Sequence, residues 1–211
     1  MSILLKKKII KSIKTGDILV EPFIKKNVGP NSIDVTLSNK LVTYVPLKEF
    51  HSDGKIYLLV DKKKMKKMKT YSKKLKTVVI STSKKNKIFL YTIPKRGVVL
   101  TQGIMYLGST NEKAGSSRYI PMYEGRSSKA RLSLQSHISA GFGDIGFQSN
   151  WTLEIIVTHP LHIYPNERIG QVYFMDIKKK DFKKMSKKSL YDGKYNNQTG
   201  PQASKSHKDF K

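Results

Sequence analysis

The segment NSIDVTLSNKL (residues 31–41) carries the pattern that decides the fold. Apolar Ile33, Val35 and Leu37 alternate with Asp34 and Thr36, which is typical of a strand with one buried face. Similar short runs recur at 41–45, 56–60, 78–80, 88–93, 98–101, 104–107, 130–134, 151–157 and 169–174. Clusters of Gly, Pro, Asn and Ser separate these runs. The sequence therefore predicts a mainly β protein, built as a sandwich or a barrel.

A short helix is predicted before the first strand, over residues 2–13. Ser2 is the expected cap, Leu5, Ile9 and Ile13 form an apolar stripe, and Gly16 ends the element. At the other end of the chain, the polar segment that follows residue 189 is rich in Gly and Asn. Its composition predicts a flexible tail that a bound ligand orders.

The charge of the chain is strongly positive. Among 211 residues there are 41 Lys and Arg against 15 Asp and Glu, which gives a formal charge of +26. Such a field attracts polyanions such as nucleic acids and nucleotides. Two lysine-dense stretches, 61–76 and 177–188, are interpreted as solvated surface. The five arginines lie between residues 96 and 168 and are the better candidates for specific chemistry, because a guanidinium makes planar bidentate contacts with phosphate.

The chain has no cysteine. This excludes a disulfide framework, a thiol nucleophile, an iron–sulfur cluster and Cys-ligated zinc. The sequence also lacks a signal-peptide pattern and an apolar run long enough to span a membrane. We therefore expect an intracellular protein without a membrane partner, located in the cytoplasm, or in the nucleus if the lysine runs act as targeting signals.

The segment EGRSSKARLSL (124–134) places two guanidiniums and two hydroxyls within six residues, at Arg126, Ser127, Ser128 and Arg131. This combination suits a phosphate chain, although surface charge and turn serines give the same pattern. Further on, Glu154 is the one carboxylate in the apolar run WTLEIIV (151–157). Residue type alone leaves open whether it is a structural ion-pair partner or an acid and base poised by desolvation.

Ordered motifs over nearly the whole chain resemble the dCTP deaminase family, which belongs with the trimeric dUTPases. They are GDILVEPF (16–23), NSIDVTLSNKL (31–41), GIMYLGST (103–110), GRSSKARL (125–132), SAGFGDIGFQSNWTLE (139–154), RIGQ (168–171) and KYNNQTGPQAS (194–204). The resemblance implies a distorted β-barrel or jelly-roll-like protomer of the dUTPase type. Residues 1–190 would form one domain, with a lysine-rich insertion at about 61–76, and residues 191–211 an arm that closes over the nucleotide.

The resemblance also assigns roles to residues. Glu154 matches the catalytic glutamate, which activates water for attack at C4 of cytosine and moves the proton toward the departing ammonia. Ser127 and Arg131 match the residues that position water and base. The remaining matches are substrate contacts: Arg126 and Ser128 for phosphates, Asp144 for the deoxyribose, Thr152 and Leu153 for the pyrimidine edge through their backbone, and Lys194 and Gln198 for the triphosphate.

The implied assembly is a homotrimer with shared active sites. It acts on dCTP, with Mg²⁺ bound to the triphosphate. No zinc is expected, because the zinc-ligand signature of nucleobase deaminases requires cysteine. Inhibition by dTTP is a further family property that the sequence leaves open.

The leading function is deamination of dCTP to dUTP and ammonia. The alternatives are a bifunctional enzyme that releases dUMP and pyrophosphate, which Gly141-Phe142 resembles, and an enzyme that acts on dUTP only. A non-catalytic basic nucleic-acid-binding module is less favoured, because it has no need of Ser127, Arg131 and Glu154 together.

Overall fold

The structure, a computed structural model, describes residues 2–68, 71–72, 77–185, 190–191 and 193–210. Its strands are β1 (Ser2–Ile3), β2 (Ile18–Glu21), β3 (Ile33–Thr36), β4 (Lys40–Thr43), β5 (Leu47–Ser52), β6 (Lys55–Val60), β7 (Tyr71–Ser72), β8 (Thr77–Val78), β9 (Phe89–Thr92), β10 (Val98–Leu100), β11 (Tyr106–Ser116), β12 (Ile120–Gly125), β13 (Leu134–Gln135), β14 (Gln148–Val157), β15 (Leu161–Ile163) and β16 (Arg168–Asp176). The α-helices are α1 (Lys6–Lys14), α2 (Lys62–Met65), α3 (Ser127–Ala130) and α4 (Lys179–Lys184), and 3₁₀ turns occupy Lys25–Asn27 and Ser206–Phe210.

Three sheets form the body of the protein. The largest has the order β13-β14-β11-β4-β9, with β2 also paired to β11. A second joins β1, β16 and β12, with β3 on β16, and a third has the order β15-β10-β6-β5. The pairings are antiparallel except for β10 with β6. The mainly β fold predicted from the alternating pattern is confirmed.

The inner faces of the three sheets contribute to one apolar core. The largest fully buried side chains come from all three sheets and from α1: Ile9, Ile18, Ile33, Leu37, Leu41, Leu100, Tyr106, Tyr123, Leu153, Ile155, Ile163 and Phe174. Burial of this apolar surface is the main favourable term in folding. It fixes which face of each strand points outward, and this decides which side chains are free for a site.

Strand β14 illustrates this selection. Trp151, Leu153 and Ile155 are buried, whereas Thr152 and Glu154 lie between them on the outer face and are half-buried. Strand β11 flanks one edge of β14, with Leu107 opposite Glu154. Strand β13 pairs with the other edge only at positions 156 and 157. Thr152 and Glu154 therefore lie on the outer face of a strand that pairs with β11 along one edge.

Two local predictions were wrong. The helix starts at Lys6 rather than at Ser2, because the backbone of Ser2 and Ile3 pairs with β16 and extends the second sheet. The predicted strand at 130–134 is instead the end of α3 and a turn. The amides of Ala130 and Arg131 bond back to the carbonyls four residues earlier, and the chain reverses at Ser133 with φ of 68° before β13 begins.

Part of the lysine-rich insertion predicted at 61–76 lies outside the described residues, namely 69–70 and 73–76. Its first part forms α2, which Asp61 caps by accepting a hydrogen bond from the Lys64 amide. In the described part of the chain, no helix has the length and apolar character needed to cross a membrane.

Candidate active site

An open cavity of about 540 Å³ lies on the outer face of β14, a volume within the usual range for small-molecule sites of about 300–1,000 Å³. Glu154 and Thr152 contribute to its wall, as do Asp144 and Phe142 from the loop that precedes β14. The lining of this cavity also includes Tyr44, Met105, Leu107, Ile138, Ser139, Ala140, Gly143, Phe147, Trp151, Tyr191, Tyr195, Gln198, Gln202 and Ser204. The lining thus mixes apolar and aromatic side chains with many polar ones, and two of the polar groups are carboxylates.

Among the described residues, Glu154 is held at one of its two oxygens. Its Oε2 accepts a hydrogen bond from the backbone N–H of Ile138, at 2.9 Å, in the loop that follows β13. Among the residues that the structure describes, no donor is bonded to Oε1. The carboxylate is therefore oriented by a backbone donor and retains an oxygen that can accept and return a proton.

Leu153 is fully buried, with no exposed surface in its side chain or its backbone. Because β13 reaches no further than Ile156 along its edge of β14, the backbone of residues 152–154 has no strand partner on that side within the described ranges. That the backbone of Thr152 and Leu153 reads the pyrimidine edge stays a prediction, and it requires this edge to open to the ligand.

The predicted arm, residues 191–211, is described at 191 and 193–210, and this part lies over the same strand. The Gln198 side chain donates to the Asn150 carbonyl at 2.6 Å, and the backbone N–H of Gln202 donates to the Thr152 hydroxyl at 3.1 Å. Further along, the Ser204 amide donates to the Tyr44 hydroxyl at 2.8 Å. The arm thus closes one side of the cavity of its own chain through polar contacts.

The predicted arm contacts Lys194 and Gln198 have different surroundings. The Lys194 ammonium pairs with the carboxylate of Asp209 in the same arm and does not line the cavity. Gln198 lines the cavity and is almost fully buried. The structure therefore brings Gln198 close to Thr152 and leaves Lys194 at the outer side of the arm.

The loop of Arg126, Ser127, Ser128 and Arg131 is separate from this cavity. Ser127, Ser128 and Arg131 are exposed on and after α3 and are not part of the cavity wall. Arg126 lies 3.4 Å from the carboxylate of Asp34 on β3, which Arg168 also contacts. Within one chain, the structure brings Glu154, Thr152, Asp144 and Gln198 together and leaves the arginine–serine loop elsewhere.

Several cavity residues were missed by the sequence reasoning. Tyr44 follows β4, more than forty residues from Glu154 in the chain, and nothing in its local pattern marks it. Leu107 in β11 belongs to the GIMYLGST motif (103–110), so that motif could have identified it. Gln202 and Tyr195 belong to the KYNNQTGPQAS motif, so the motif itself was the signal that could have identified them. The donor to Glu154 is a backbone amide, which leaves no trace in residue type.

Comparisons with known proteins identify the family of this chain. A family model described as dCTP deaminase-like matches residues 3–177. The chain belongs to the dCTP deaminase-like family. Curated relatives of this dCTP deaminase-like chain include a "dCTP deaminase, dUMP-forming" from Clostridium beijerinckii, 38% identical over 97% of this chain and 96% of the relative. A protein of the same name from Leptospira biflexa is 35% identical over 99% of this chain and 98% of the relative.

A solved structure gives the same fold for the dCTP deaminase-like chain. The 2'-deoxycytidine 5'-triphosphate deaminase from Agrobacterium tumefaciens superposes with a TM-score of 0.52 at 17% sequence identity. The match covers 82% of this chain and 47% of that longer chain, so it concerns the fold alone. The expected dUTPase-type architecture is thereby confirmed.

The family resemblance implies a Mg²⁺ ion bound to the triphosphate of the substrate. Within the described ranges, no group of three or more His, Asp or Glu side chains is placed to hold a metal ion. Asp144 is a carboxylate of the cavity wall in addition to Glu154. Mg²⁺ prefers oxygen ligands and commonly binds through substrate phosphates, so the donor set suits an ion that arrives with a nucleotide.

Proposed function

We propose that this chain catalyses the hydrolytic deamination of dCTP, in which water replaces the 4-amino group and ammonia leaves. The observation that carries the proposal is Glu154 on the wall of a nucleotide-sized cavity, with one oxygen fixed by the Ile138 amide and the other unbonded among the described residues. The relatives that match this chain over nearly its whole length are named "dCTP deaminase, dUMP-forming".

Glu154 acts first as general base and then as general acid. It takes a proton from water as the oxygen attacks C4 of cytosine. The C4–N3 π electrons move to N3, and the carboxyl gives the proton to N3, which leaves a neutral tetrahedral intermediate. The carboxylate then takes the proton of the new C4 hydroxyl and passes it to the amino group; the bond from C4 to that group breaks, the C4 carbonyl forms, and ammonia and the 4-oxo base with its N3–H are released. A positioned, partly desolvated carboxylate is an efficient catalyst for both steps.

Ser127 and Arg131 are proposed to act from a neighbouring protomer of a homotrimer. Both are exposed and absent from the cavity wall of their own chain, while they match the family motif. A ring of three identical subunits places the same loop of each protomer against its neighbour. In this arrangement Arg126 and Ser128 of the loop bind the phosphates. The negative charge of the phosphates also complements the net charge of +26 on the chain.

The remaining contacts divide along the nucleotide. Asp144 faces the deoxyribose, the backbone edge at Thr152 and Leu153 reads the pyrimidine, and Lys194 reaches the triphosphate after leaving Asp209. Mg²⁺ is expected to be bound through the phosphate oxygens and to neutralise part of their charge. No zinc is involved in the proposed reaction.

A second reaction is favoured by the names of the relatives. They are called dUMP-forming, which describes deamination followed by hydrolysis of the product to dUMP and pyrophosphate. Gly141-Phe142 in this chain resembles family members of that kind, and Phe142 is exposed on the cavity wall. We therefore propose that dUTP formed in the cavity is hydrolysed before release, with a second water attacking the α-phosphorus.

The test is an incubation with Mg-dCTP, with ammonia, dUTP, dUMP and pyrophosphate measured separately. Deamination followed by hydrolysis predicts equal amounts of ammonia, dUMP and pyrophosphate. Ammonia with dUTP alone supports only the first reaction, and no ammonia overturns the proposal. Glu154→Gln should abolish ammonia release while nucleotide binding persists. The matched control is Glu49→Gln, the same change at an exposed position of β5, which should retain full activity.

A further inference from the structure

The loop that carries Ser127 and Arg131 has little apolar packing on its own chain. Helix α3 within it is four residues long, has no side-chain cap at its N-terminus and contains no buried residue. Of the seven side chains from residue 126 to residue 132, five are exposed, and the half-buried ones are Arg126 and Lys129. The orientation of the loop therefore depends on these two side chains.

Both half-buried side chains are cations that pair with carboxylates of one sheet. The Arg126 guanidinium lies 3.4 Å from the carboxylate of Asp34 on β3. The Lys129 ammonium lies 2.5 Å from Oε2 of Glu167, the residue directly before β16. Because β3 and β16 pair with each other, the two ion pairs tie the loop to neighbouring strands of a single sheet.

The pair of Lys129 and Glu167 is well enclosed. Its side chains are 22% and 18% exposed, against 46% and 49% for the surface pair of Lys55 and Asp53. In the part of the chain that the structure describes, Oε1 of Glu167 is a buried oxygen without a hydrogen-bond donor. Loss of the Lys129 ammonium would leave a largely buried carboxylate without its partner, which is strongly unfavourable.

The spacing along α3 separates the anchors from the groups assigned to the reaction. Positions 126 and 129 share one face of a helical turn, and positions 127 and 131 share another. With 3.6 residues per turn, these two faces are about 150° apart. The first face is held by the sheet, and the second is exposed. A second anchor at Lys129 therefore fixes the rotation of α3, which one anchor at Arg126 would leave free.

We infer that Lys129 and Glu167 are a positioning pair, which fixes the rotation of α3 so that Ser127 and Arg131 face the nucleotide of a neighbouring protomer. This inference rests on the proposed function. Lys129 is then not a phosphate ligand, although it lies in a basic loop, because Glu167 already binds its ammonium.

The experiment compares four variants. Lys129→Met and Glu167→Met each remove one member of the pair, and the double variant Lys129→Glu/Glu167→Lys exchanges the two charges. Lys55→Met is the matched control, since it removes a lysine from the exposed pair at the start of β6. The first measurement is ammonia release at saturating Mg-dCTP. The second is hydrogen exchange of the amides of Ala130 and Arg131, which bond to carbonyls four residues earlier.

Each single variant of the pair is expected to lower kcat by about 10- to 100-fold, the effect of a small displacement of a positioned group. The amides of Ala130 and Arg131 should exchange faster in both. The exchanged pair should restore most of the lost kcat and slow the exchange again. Lys55→Met should leave both quantities unchanged.

Three results overturn the inference. A folded exchanged pair that stays as inactive as Lys129→Met shows that position 129 needs a positive charge, as a phosphate contact would. Full kcat in Lys129→Met, together with faster exchange, reduces the pair to a structural role. Unchanged exchange in Lys129→Met shows that the pair does not hold α3. If Lys129→Met does not fold, the exchanged pair decides alone, by its activity.

The proposed function fails by a different result, the absence of ammonia with the unaltered protein. Hydrogen exchange needs no turnover, so it tests the hold of Lys129 and Glu167 on α3 in that case as well. A protein that deaminates dCTP but shows one of the three results keeps its function and loses this role for the pair.

Discussion

The ammonium of Lys194 is paired with the carboxylate of Asp209, fifteen residues further along the arm. Asp209 is thus paired with the ammonium group that the family motif assigns to triphosphate binding. Binding of a nucleotide through Lys194 would require this ion pair to break. Because the Asp209 side chain is largely exposed, the pair contributes little to stability and can exchange readily for a phosphate.

Replacement of Asp209 should therefore improve nucleotide binding. Asp209→Asn removes the competing charge, and we expect the dissociation constant for Mg-dCTP to fall by about two- to fivefold, the scale of an exposed ion pair. Calorimetry at low and at high salt checks this, because the gain should shrink as salt screens the charges. Asp181→Asn, an equal charge change in the exposed start of α4, is the control for net charge. Weaker binding by Asp209→Asn would contradict the exchange.

Mixed trimers test whether the arginine–serine loop serves a neighbouring protomer. Glu154→Gln and Arg131→Ala are each expected to be inactive alone. When equal amounts are unfolded and refolded together, about a quarter of the sites combine an intact Glu154 with an intact Arg131 from the next subunit. Ammonia release should then recover to about that fraction of the unaltered protein. A mixture that stays inactive would place both residues in the site of a single chain.

The hydroxyl of Thr152 is expected to hold the arm on β14, since it accepts a hydrogen bond from the Gln202 amide. Thr152→Val keeps the shape and removes the acceptor, so the arm should be cleaved faster by a protease and KM for dCTP should rise. Thr152→Ser restores the oxygen and should restore both values. Faster cleavage of Thr152→Ser than of Thr152→Val would show that packing of the methyl group, rather than the hydrogen bond, holds the arm.

A pH effect is expected from Tyr123, whose phenol is buried and donates to the Ser136 hydroxyl at 2.8 Å. Burial is the largest influence and raises the pKa of Tyr123 far above its ordinary value of about 10. The folded protein therefore keeps this proton at a pH where the unfolded chain loses it. The stabilisation is complete below pH of about 10 and is lost as the pH rises further.

Tyr123→Phe should make the fall of the unfolding free energy above pH of about 10 shallower, because the residue no longer titrates. At neutral pH the variant should lose about 1 kcal/mol, since the Ser136 hydroxyl loses its partner. Urea unfolding at a series of pH values measures both effects. Tyr164→Phe, at a 43% exposed position, should leave the alkaline slope unchanged.

The sequence predicted those features that follow from periodicity and from chemical type. Alternation predicted a strand with one buried face at Ile33, Val35 and Leu37, and the structure buries these three side chains. The same reasoning failed at 130–134. Ala130, Leu132 and Leu134 alternate as a strand would, but local helical hydrogen bonds dominate there and Leu132 is exposed. Short apolar runs fit both elements.

Contacts through the backbone could not have been predicted from residue types. The donor to Glu154 is the amide of Ile138, and the acceptor for Gln198 is the carbonyl of Asn150. Every residue has such groups, so no pattern in the sequence marks the ones that meet. The place of the arginine–serine loop in the assembly depends in the same way on surfaces that belong to a second chain.

The docking of the arm on β14 has a thermodynamic consequence. One strand carries both the proposed proton-transfer group and the arm's hydrogen-bonding partners, at Thr152 and Asn150. If a seated arm tightens nucleotide binding by some factor, a bound nucleotide must favour the seated arm by the same factor, since linkage between two equilibria is reciprocal. Protection of the arm from hydrogen exchange, measured against nucleotide concentration, therefore reports the affinity of the cavity without any turnover.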